Sequence, residues 1–298
     1  MSNWRPSAQY RKIAEANRQY YAHMAHLYDR TETCVTSAEM QQRLAGDLDR
    51  ALAVIGKPPL TIRALDACGG SGNVSLKLLR RGVSTVTCDI SIELLRIFQG
   101  YCDDEGLAPR IVCCEIGDFL RAHPSRFDLI VFSSALHHLV DVCGVLDLAY
   151  DSLTPGGVIF TSFDPAAYRN EFERLIVYLD FVAFKIHRQP VDLFAAVARR
   201  AQRIITGATS KERAAVNQAT MSVLAEYHVD KGIDDIALVG HMGERGAEVV
   251  VHEREAGGRY VATRALLRSI GAATTFKLML RKPHGERYAR SCPASVMV

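Results

Sequence analysis

The sequence predicts a doubly wound α/β fold, a mostly parallel sheet of seven strands with helices on both faces. Three observations predict it. Short apolar runs alternate with helical periodicity from residue 61 to 165, and the alternation resumes at 232. A knot of small residues, Gly69-Gly70-Ser71-Gly72, closes the first run and opens a helix. Acids stand at the ends of the next two runs, at Asp89 and Asp118. In a parallel sheet those ends converge on one crevice.

The elements follow in order. Residues 7–29 carry helical spacing through Tyr20, His23, Met24 and Leu27. A second helix spans 37–55, with Ser37 as a cap and Lys57-Pro58-Pro59 as a stop. Residues 61–67, 83–90, 109–116, 127–136 and 156–163 read as strands, the third ending at Gly117-Asp118. Helices at 73–82, 91–106 and 142–153 fill three of the four gaps between them. After Pro165 only helical patterns appear, to 231. The run at 172–186 is apolar on nearly all sides, Pro190 breaks it, and two helices flank residues 206–211. From 232 come a helix ending at Gly246, a strand at 247–255, a helical connection and a strand at 274–283. Residues 284–298 read as a tail.

Composition bounds the function. The 298 residues suit one large domain or a domain with a lid. Apolar residues make up 48% and charged residues 23%, a globular balance. A net charge of +3 argues for neither a nucleic-acid nor a membrane partner. The cluster Arg199, Arg200 and Arg203 reads as a solvated helix face. Residues 1–20 lack the apolar core of an export signal, and no stretch has the length of a membrane span. The eight cysteines, at 34, 68, 88, 102, 113, 114, 143 and 292, form no C-x-x-C pair, so no metal site is expected. Cys113 and Cys114, as neighbours on a strand, point to opposite faces. A cytoplasmic, reduced protein is expected.

The glycine knot alone leaves three readings open: a phosphate cradle, a nucleoside clamp, or packing only. Asp89 lies 17 residues beyond Gly72, near the offset at which an acid grips ribose hydroxyls. Capping of the next helix is the other role for it, but Ser91 can supply that cap. Asp118 can accept from an exocyclic amine, and Phe119 offers an apolar face to a purine, unless the pair is only a turn and a core aromatic. Together the three pieces favour an adenosine moiety. A nicotinamide fingerprint wants a third glycine where this chain has Ser75.

On "ALDACGGSGN" (64–73), "VTCDIS" (86–91), "GDF" (117–119), "FDLIVFSSALHHL" (127–139) and "LTPGGVIF" (153–160), the chain resembles the class I S-adenosylmethionine-dependent methyltransferases. The resemblance implies an antiparallel last strand. It implies S-adenosylmethionine as cofactor and S-adenosylhomocysteine as product. Gly69, Gly70 and Gly72 would hold the methionine part, with Asp66 orienting the turn. Asp89 would hold the ribose and Asp118 with Phe119 the adenine, on which Ile90 packs. Cys68 stands where relatives often carry glycine and joins the cofactor set, as do Ser133 and Ser134. Relatives with a "YY…YD" segment fold it over the cofactor, which brings Tyr21 and Tyr28 to the methionine carboxylate.

The resemblance divides the chain into an N-terminal helical lid (1–60), a cofactor-binding core (61–165 and 232–283), a helical substrate cap (166–231) and the tail. His137 and His138 follow the fourth strand, beside the transferred methyl, and His138 is the better candidate for a general base. A helix-start histidine bonded to backbone is as good a reading of either. The apolar run at 172–186 implies a small hydrophobic or aromatic acceptor, with homodimerisation through 166–231 as the competing reading. A nucleic-acid acceptor is not expected, because no basic stripe with interleaved aromatics appears. The other functions open to this sequence are cofactor binding without methyl transfer, as a cyclase or partner protein, and NAD-dependent oxidoreduction.

Overall fold

The computed structural model describes residues 4–188 and 231–285. Seven strands form one sheet in the order β3-β2-β1-β4-β5-β7-β6. They are β1 (Arg63–Ala67), β2 (Ser84–Asp89), β3 (Arg110–Cys113), β4 (Phe127–Ser133), β5 (Leu153–Pro165), β6 (Glu248–Glu255) and β7 (Thr275–Arg281). The pairs from β3 across to β5 are parallel, and β7 runs antiparallel to both β5 and β6.

Helices cover both faces: α1 (Ala8–Thr31), α2 (Thr33–Thr36), α3 (Ala38–Ile55), α4 (Asn73–Arg80), α5 (Ile92–Glu105), α6 (Ile116–Arg121), α7 (Val142–Ser152), α8 (Glu171–Arg188), α9 (Asp235–Glu244) and α10 (Val261–Ser269). One apolar layer packs β4 and β5 against α6, α7 and α9, through Ile130, Phe132, Leu120, Val145, Leu146 and Leu238. The other packs α3 and α4 against the opposite face, through Leu44, Leu48, Leu78, Leu129, Val131 and Phe160. The central strand β4 is therefore apolar throughout Leu129–Phe132 and fully buried. Each such side chain contributes roughly 1.5–3 kcal/mol by its burial.

The third strand departs from expectation. It ends at Cys113, and a helix, α6, begins at Ile116 where a strand end and turn were expected. Glu115 causes this: its carboxylate caps the helix by accepting from the Asp118 backbone N–H at 3.0 Å. Nor does a helix start at the histidines. Leu136–His138 form a single 3-10 turn, and α7 opens only at Val142. Helix α8 buries Glu173, Ile176 and Asp180 and turns Phe172, Leu175, Tyr178 and Leu179 outwards. Pro190, the arginine cluster at 199–203, the two helices around 206–211, Cys292 and nearly all of the tail lie outside the described residues, as does most of the face expected for dimerisation. Among the described residues no helix is long and apolar enough to cross a membrane.

Candidate functional site

The chain is strained where three strands end side by side. Cys68 after β1, Ser134 after β4 and Phe163 near the end of β5 take left-handed φ values of 58°, 53° and 64°. Such conformations cost about 1–3 kcal/mol each in non-glycine residues and gather at functional sites. Here they turn the backbone over the carboxyl ends of β1, β4 and β5.

A cleft of about 720 Å³ opens at those ends, lined by Cys68, Gly70, Asp89, Ile90, Leu94 and Glu115 from the sheet side. The glycine turn divides its duties. A Cβ on Gly72 would stand 2.0 Å from Phe98, and one on Gly69 would meet Thr87 at 2.6 Å and Asp66 at 2.8 Å. Both are held by packing. On Gly70 the nearest atoms would be 3.7 Å away, and of the three it alone lines this cleft. Asp66 accepts from the backbone N–H and the hydroxyl of Ser75, at 2.9 and 2.7 Å, and so anchors α4 to β1. Burial pushes its carboxyl up to about 6.

Asp89 is nine-tenths buried. One oxygen accepts from Gly70 N–H at 2.9 Å and the other from Ser91 N–H at 2.8 Å. Burial raises its pKa, and these N–H groups oppose the rise. Ser91 caps α5 through its own hydroxyl, so the carboxylate is left to the turn and the cleft. A carboxylate has about four acceptor positions, so acceptor capacity remains for a diol.

The acid that reaches the cleft after β3 is Glu115. Because α6 starts at Ile116, Asp118 is rotated outwards, 53% exposed, and pairs with Arg121 at 2.6 Å. Phe119 turns into the core and stacks on His123 with centroids 4.2 Å apart. Neither lines this cleft, and Asp118 borders an adjoining outer space with Tyr10, Ile90 and Glu115. Glutamate is an unusual helix cap, and periodicity gave no sign of α6; an acid directly after the third apolar run was the available signal.

Helix α1 closes the cleft from above with Tyr10, Ile13, Asn17, Tyr21 and Tyr28. The Tyr10 hydroxyl donates to Glu115 at 2.5 Å. Burial and that carboxylate together push the Tyr10 phenol far up. Asn17 donates through Nδ2 to the His138 carbonyl at 3.2 Å. Its Oδ1 is buried and has no hydrogen-bond partner among the described residues.

A second cavity, of about 980 Å³, lies on the other side of Tyr21, Tyr28, Ser134 and His138. These four side chains line both spaces. Within the wall, Tyr21 Oη and His138 Nε2 are 2.9 Å apart. Met40, Phe163, Tyr168 and Val177 give the second cavity apolar surface, and Glu32, Asp180 and Arg259 give it charge. His137 faces this cavity only. Its Nδ1 lies 2.8 Å from Asp164, and its backbone N–H also donates to that carboxylate. Asp164 is fully buried at the end of β5. The β5–β7 register shifts between Thr161 and Asp164, and this bulge re-aims both Phe163 and Asp164. Ser133 instead lines a small adjoining space of about 320 Å³ with Asp66, Cys68 and Gly69.

The cleft suits the cofactor that the resemblance implies. Two acids stand apart for a diol and an amine, Ile90 and Leu94 give apolar walls between them, and the orphaned Asn17 Oδ1 offers an acceptor at the α1 side.

Comparison with known proteins identifies the family. A family model described as a methyltransferase domain matches residues 37–201. The tRNA 5-carboxymethoxyuridine methyltransferase of Escherichia coli K12 is 29% identical over 143 residues, 47% of this chain and 54% of that protein. The chain thus spans about half the length of the curated relatives it matches. Among solved structures, a sarcosine dimethylglycine methyltransferase described as putative, from Galdieria sulphuraria, superposes with a TM-score of 0.56 at 14% identity, covering 90% of this chain and 98% of that one. The 1,6-didemethyltoxoflavin-N1-methyltransferase of Burkholderia thailandensis, solved with S-adenosylhomocysteine, does so at 0.53 and 15%, covering 94% and 93%. The [4+2]-cyclase SpnF does so at 0.54 and 13%, covering 90% and 95%. At these identities the likeness is one of fold. The family model covers more than half of the chain, and the chain belongs to the methyltransferase domain family, whose cofactor is S-adenosylmethionine.

Proposed function

We propose that the protein transfers a methyl group from S-adenosylmethionine to a small, partly apolar acceptor held in the second cavity. The observation that carries this reading is the shared wall. Two spaces at the strand ends meet at Tyr21, Tyr28, Ser134 and His138, as a donor and an acceptor must meet for in-line transfer.

S-adenosylmethionine, when bound, supplies the activated methyl. Asp89 holds the ribose hydroxyls, Glu115 takes the adenine amine in place of Asp118, and Ile90 and Leu94 flank the ring. Gly70, Asn17 and Tyr28 hold the methionine end. On the acceptor side, His137 takes the proton released from an O–H or N–H acceptor at Nε2, while Asp164 accepts from its Nδ1–H and fixes the tautomer. His138, bonded to Tyr21, positions the wall. The apolar side chains of the second cavity favour an aromatic or hydrophobic acceptor.

A tRNA base as acceptor is the second reading, favoured by the relative from Escherichia coli. Methyl-tritiated S-adenosylmethionine, offered with a small-molecule extract and with total tRNA, separates the two. Label in the organic-soluble fraction is expected. Label that precipitates with RNA would replace the small acceptor. Tight S-adenosylhomocysteine binding with no transfer to either would favour a protein that binds the cofactor without methylating.

A further inference from the structure

Two thiols lie side by side in the floor of the cofactor cleft, and the proposed chemistry uses neither. Cys88, at the end of β2, and Cys114, just past β3, have their sulfurs 3.6 Å apart, and both line the cleft. Cys88 is fully buried, and its thiol also points to the Cys114 carbonyl at 3.6 Å. Cys114 is partly accessible from the cleft. We propose that Cys88 and Cys114 are a redox pair, joined by a peroxide into a disulfide that disables the cofactor site.

The roles of the two sulfurs differ. Cys88 is buried with its thiol directed at the Cys114 carbonyl, while Cys114 is the more accessible of the two, and the contact between them favours the thiolate at Cys114. The Cys114 thiolate, the nucleophile in such chemistry, therefore attacks one peroxide oxygen. The O–O bond breaks, an S–O bond forms, and the first water leaves. Cys88 then loses its proton and attacks the Cys114 sulfur. The S–O bond breaks, the S–S bond forms and a second water leaves. Two thiols have given up two electrons, and the peroxide has become two waters.

The bond would be felt at the cofactor residues. A disulfide needs sulfurs about 2.05 Å apart, so the two must approach by rotation of their side chains and adjustment of the strand ends that carry them. The Cys88 carbonyl accepts from Gly69 N–H at 3.1 Å, and Cys114 N–H donates to the Asp89 carbonyl at 3.1 Å. Closing the pair therefore pulls on the glycine turn, on Asp89 and on Glu115, the residue after Cys114. The effect on affinity rests on the cofactor reading above; the pairing of the sulfurs does not.

The test treats the full-length reduced protein with hydrogen peroxide, with and without S-adenosylhomocysteine. Peptides are mapped without reduction, and affinity is measured by calorimetry. The expected product is a peptide linked through Cys88 and Cys114, reversed by dithiothreitol and suppressed by the bound nucleoside. Affinity for S-adenosylhomocysteine should fall about tenfold or more on oxidation and return on reduction. In Cys114→Ser, which lacks the sulfur that peroxide attacks first, the linked peptide should vanish, and whatever affinity that variant has should be unchanged by brief peroxide treatment. A Cys114 link to Cys68, or a correct link without loss of affinity, would overturn the proposal. If the reduced protein bound no S-adenosylhomocysteine, the cofactor reading would fall, and the peptide map would still decide the pairing.

Discussion

Tyr21 Oη and His138 Nε2 meet at 2.9 Å, and their contact forms part of the wall between the two cavities. The rings also meet edge to face, with centroids 5.4 Å apart. Tyr21→Phe keeps the ring and removes the bond that holds the imidazole. Cofactor affinity should stay within about twofold, while single-turnover methyl transfer should slow by about tenfold, the effect of one lost hydrogen bond on positioning. Equal losses in affinity and rate would make Tyr21 a cofactor ligand alone.

Asp89 offers a sharper test of the cleft. Both of its oxygens accept from backbone N–H groups, so Asp89→Asn must set an amide NH2 against one of them. Affinity for S-adenosylhomocysteine should drop by about 1.5–3 kcal/mol, the worth of hydrogen bonds to a charged group. An analogue lacking both ribose hydroxyls should bind wild type and variant nearly alike. If the variant lost as much with that analogue as with the parent, Asp89 would be bracing the turn and nothing more.

Two glycines of the same turn should fail in different ways. Gly72→Ala places a methyl 2.0 Å from Phe98 on a backbone with φ of 83°, and both overpacking and left-handed strain apply. A stability loss of about 2–5 kcal/mol is expected in thermal unfolding. Gly70→Ala, with φ of 53° and no atom nearer than 3.7 Å, should lose only about 1–2 kcal/mol of stability, yet weaken cofactor binding because its methyl enters the cleft. A folded Gly72→Ala protein with normal stability would contradict the packing described.

These residues also show how far the sequence could be read. Alternation of apolar runs and helices was enough for the sheet, and Ser37 and Ser91 cap the helices they were expected to cap. The outward turn of Asp118 is not legible in the sequence because helix α6 is too short to show periodicity, and its start depends on the Glu115 carboxylate folding back on Asp118 N–H. Asp164 carries no signal in the sequence because the bulge at Phe163 breaks the period of two that marks a strand. Asn17 and Tyr10 reach the cleft only through the docking of α1, which no local pattern encodes. Local signals specified the strands, and long-range docking decided which side chains line the cleft.

The Asp66 carboxyl links folding to pH. Its pKa is pushed up to about 6 by burial, from an ordinary 3.8. A raised acid binds its proton more tightly in the folded state, so its contribution favours folding most below about pH 4. That contribution declines as pH rises through 4 to 6 and is constant above, a total of about 3 kcal/mol. Asp66→Asn retains an oxygen for both Ser75 donors and carries no charge. The difference in unfolding free energy between variant and wild type should therefore grow in the variant's favour from pH 4 to pH 7. A difference that is flat with pH would place the titration elsewhere.

Trp4 latches α1 over the cleft. Its indole donates to Asp141 at 2.8 Å, and its ring sits in a slot where a Cβ on Gly117 or Gly144 would come within 2.5 or 2.4 Å. It also packs edge-on against Tyr10, which holds Glu115. Tyr10, Asn17 and Tyr21 close the cleft only while this end of α1 is docked. Trp4→Ala removes the indole bond and the aromatic pair, together worth about 1–2 kcal/mol. S-adenosylhomocysteine should bind about tenfold more weakly, mainly through faster release, since an undocked helix no longer retains it. Amide exchange should rise across residues 8–21 and remain unchanged in β1 and β4. Gly144→Ala, which fills the slot and leaves Trp4 intact, should reproduce both effects. Faster exchange without faster release would show that α1 covers the cofactor without holding it.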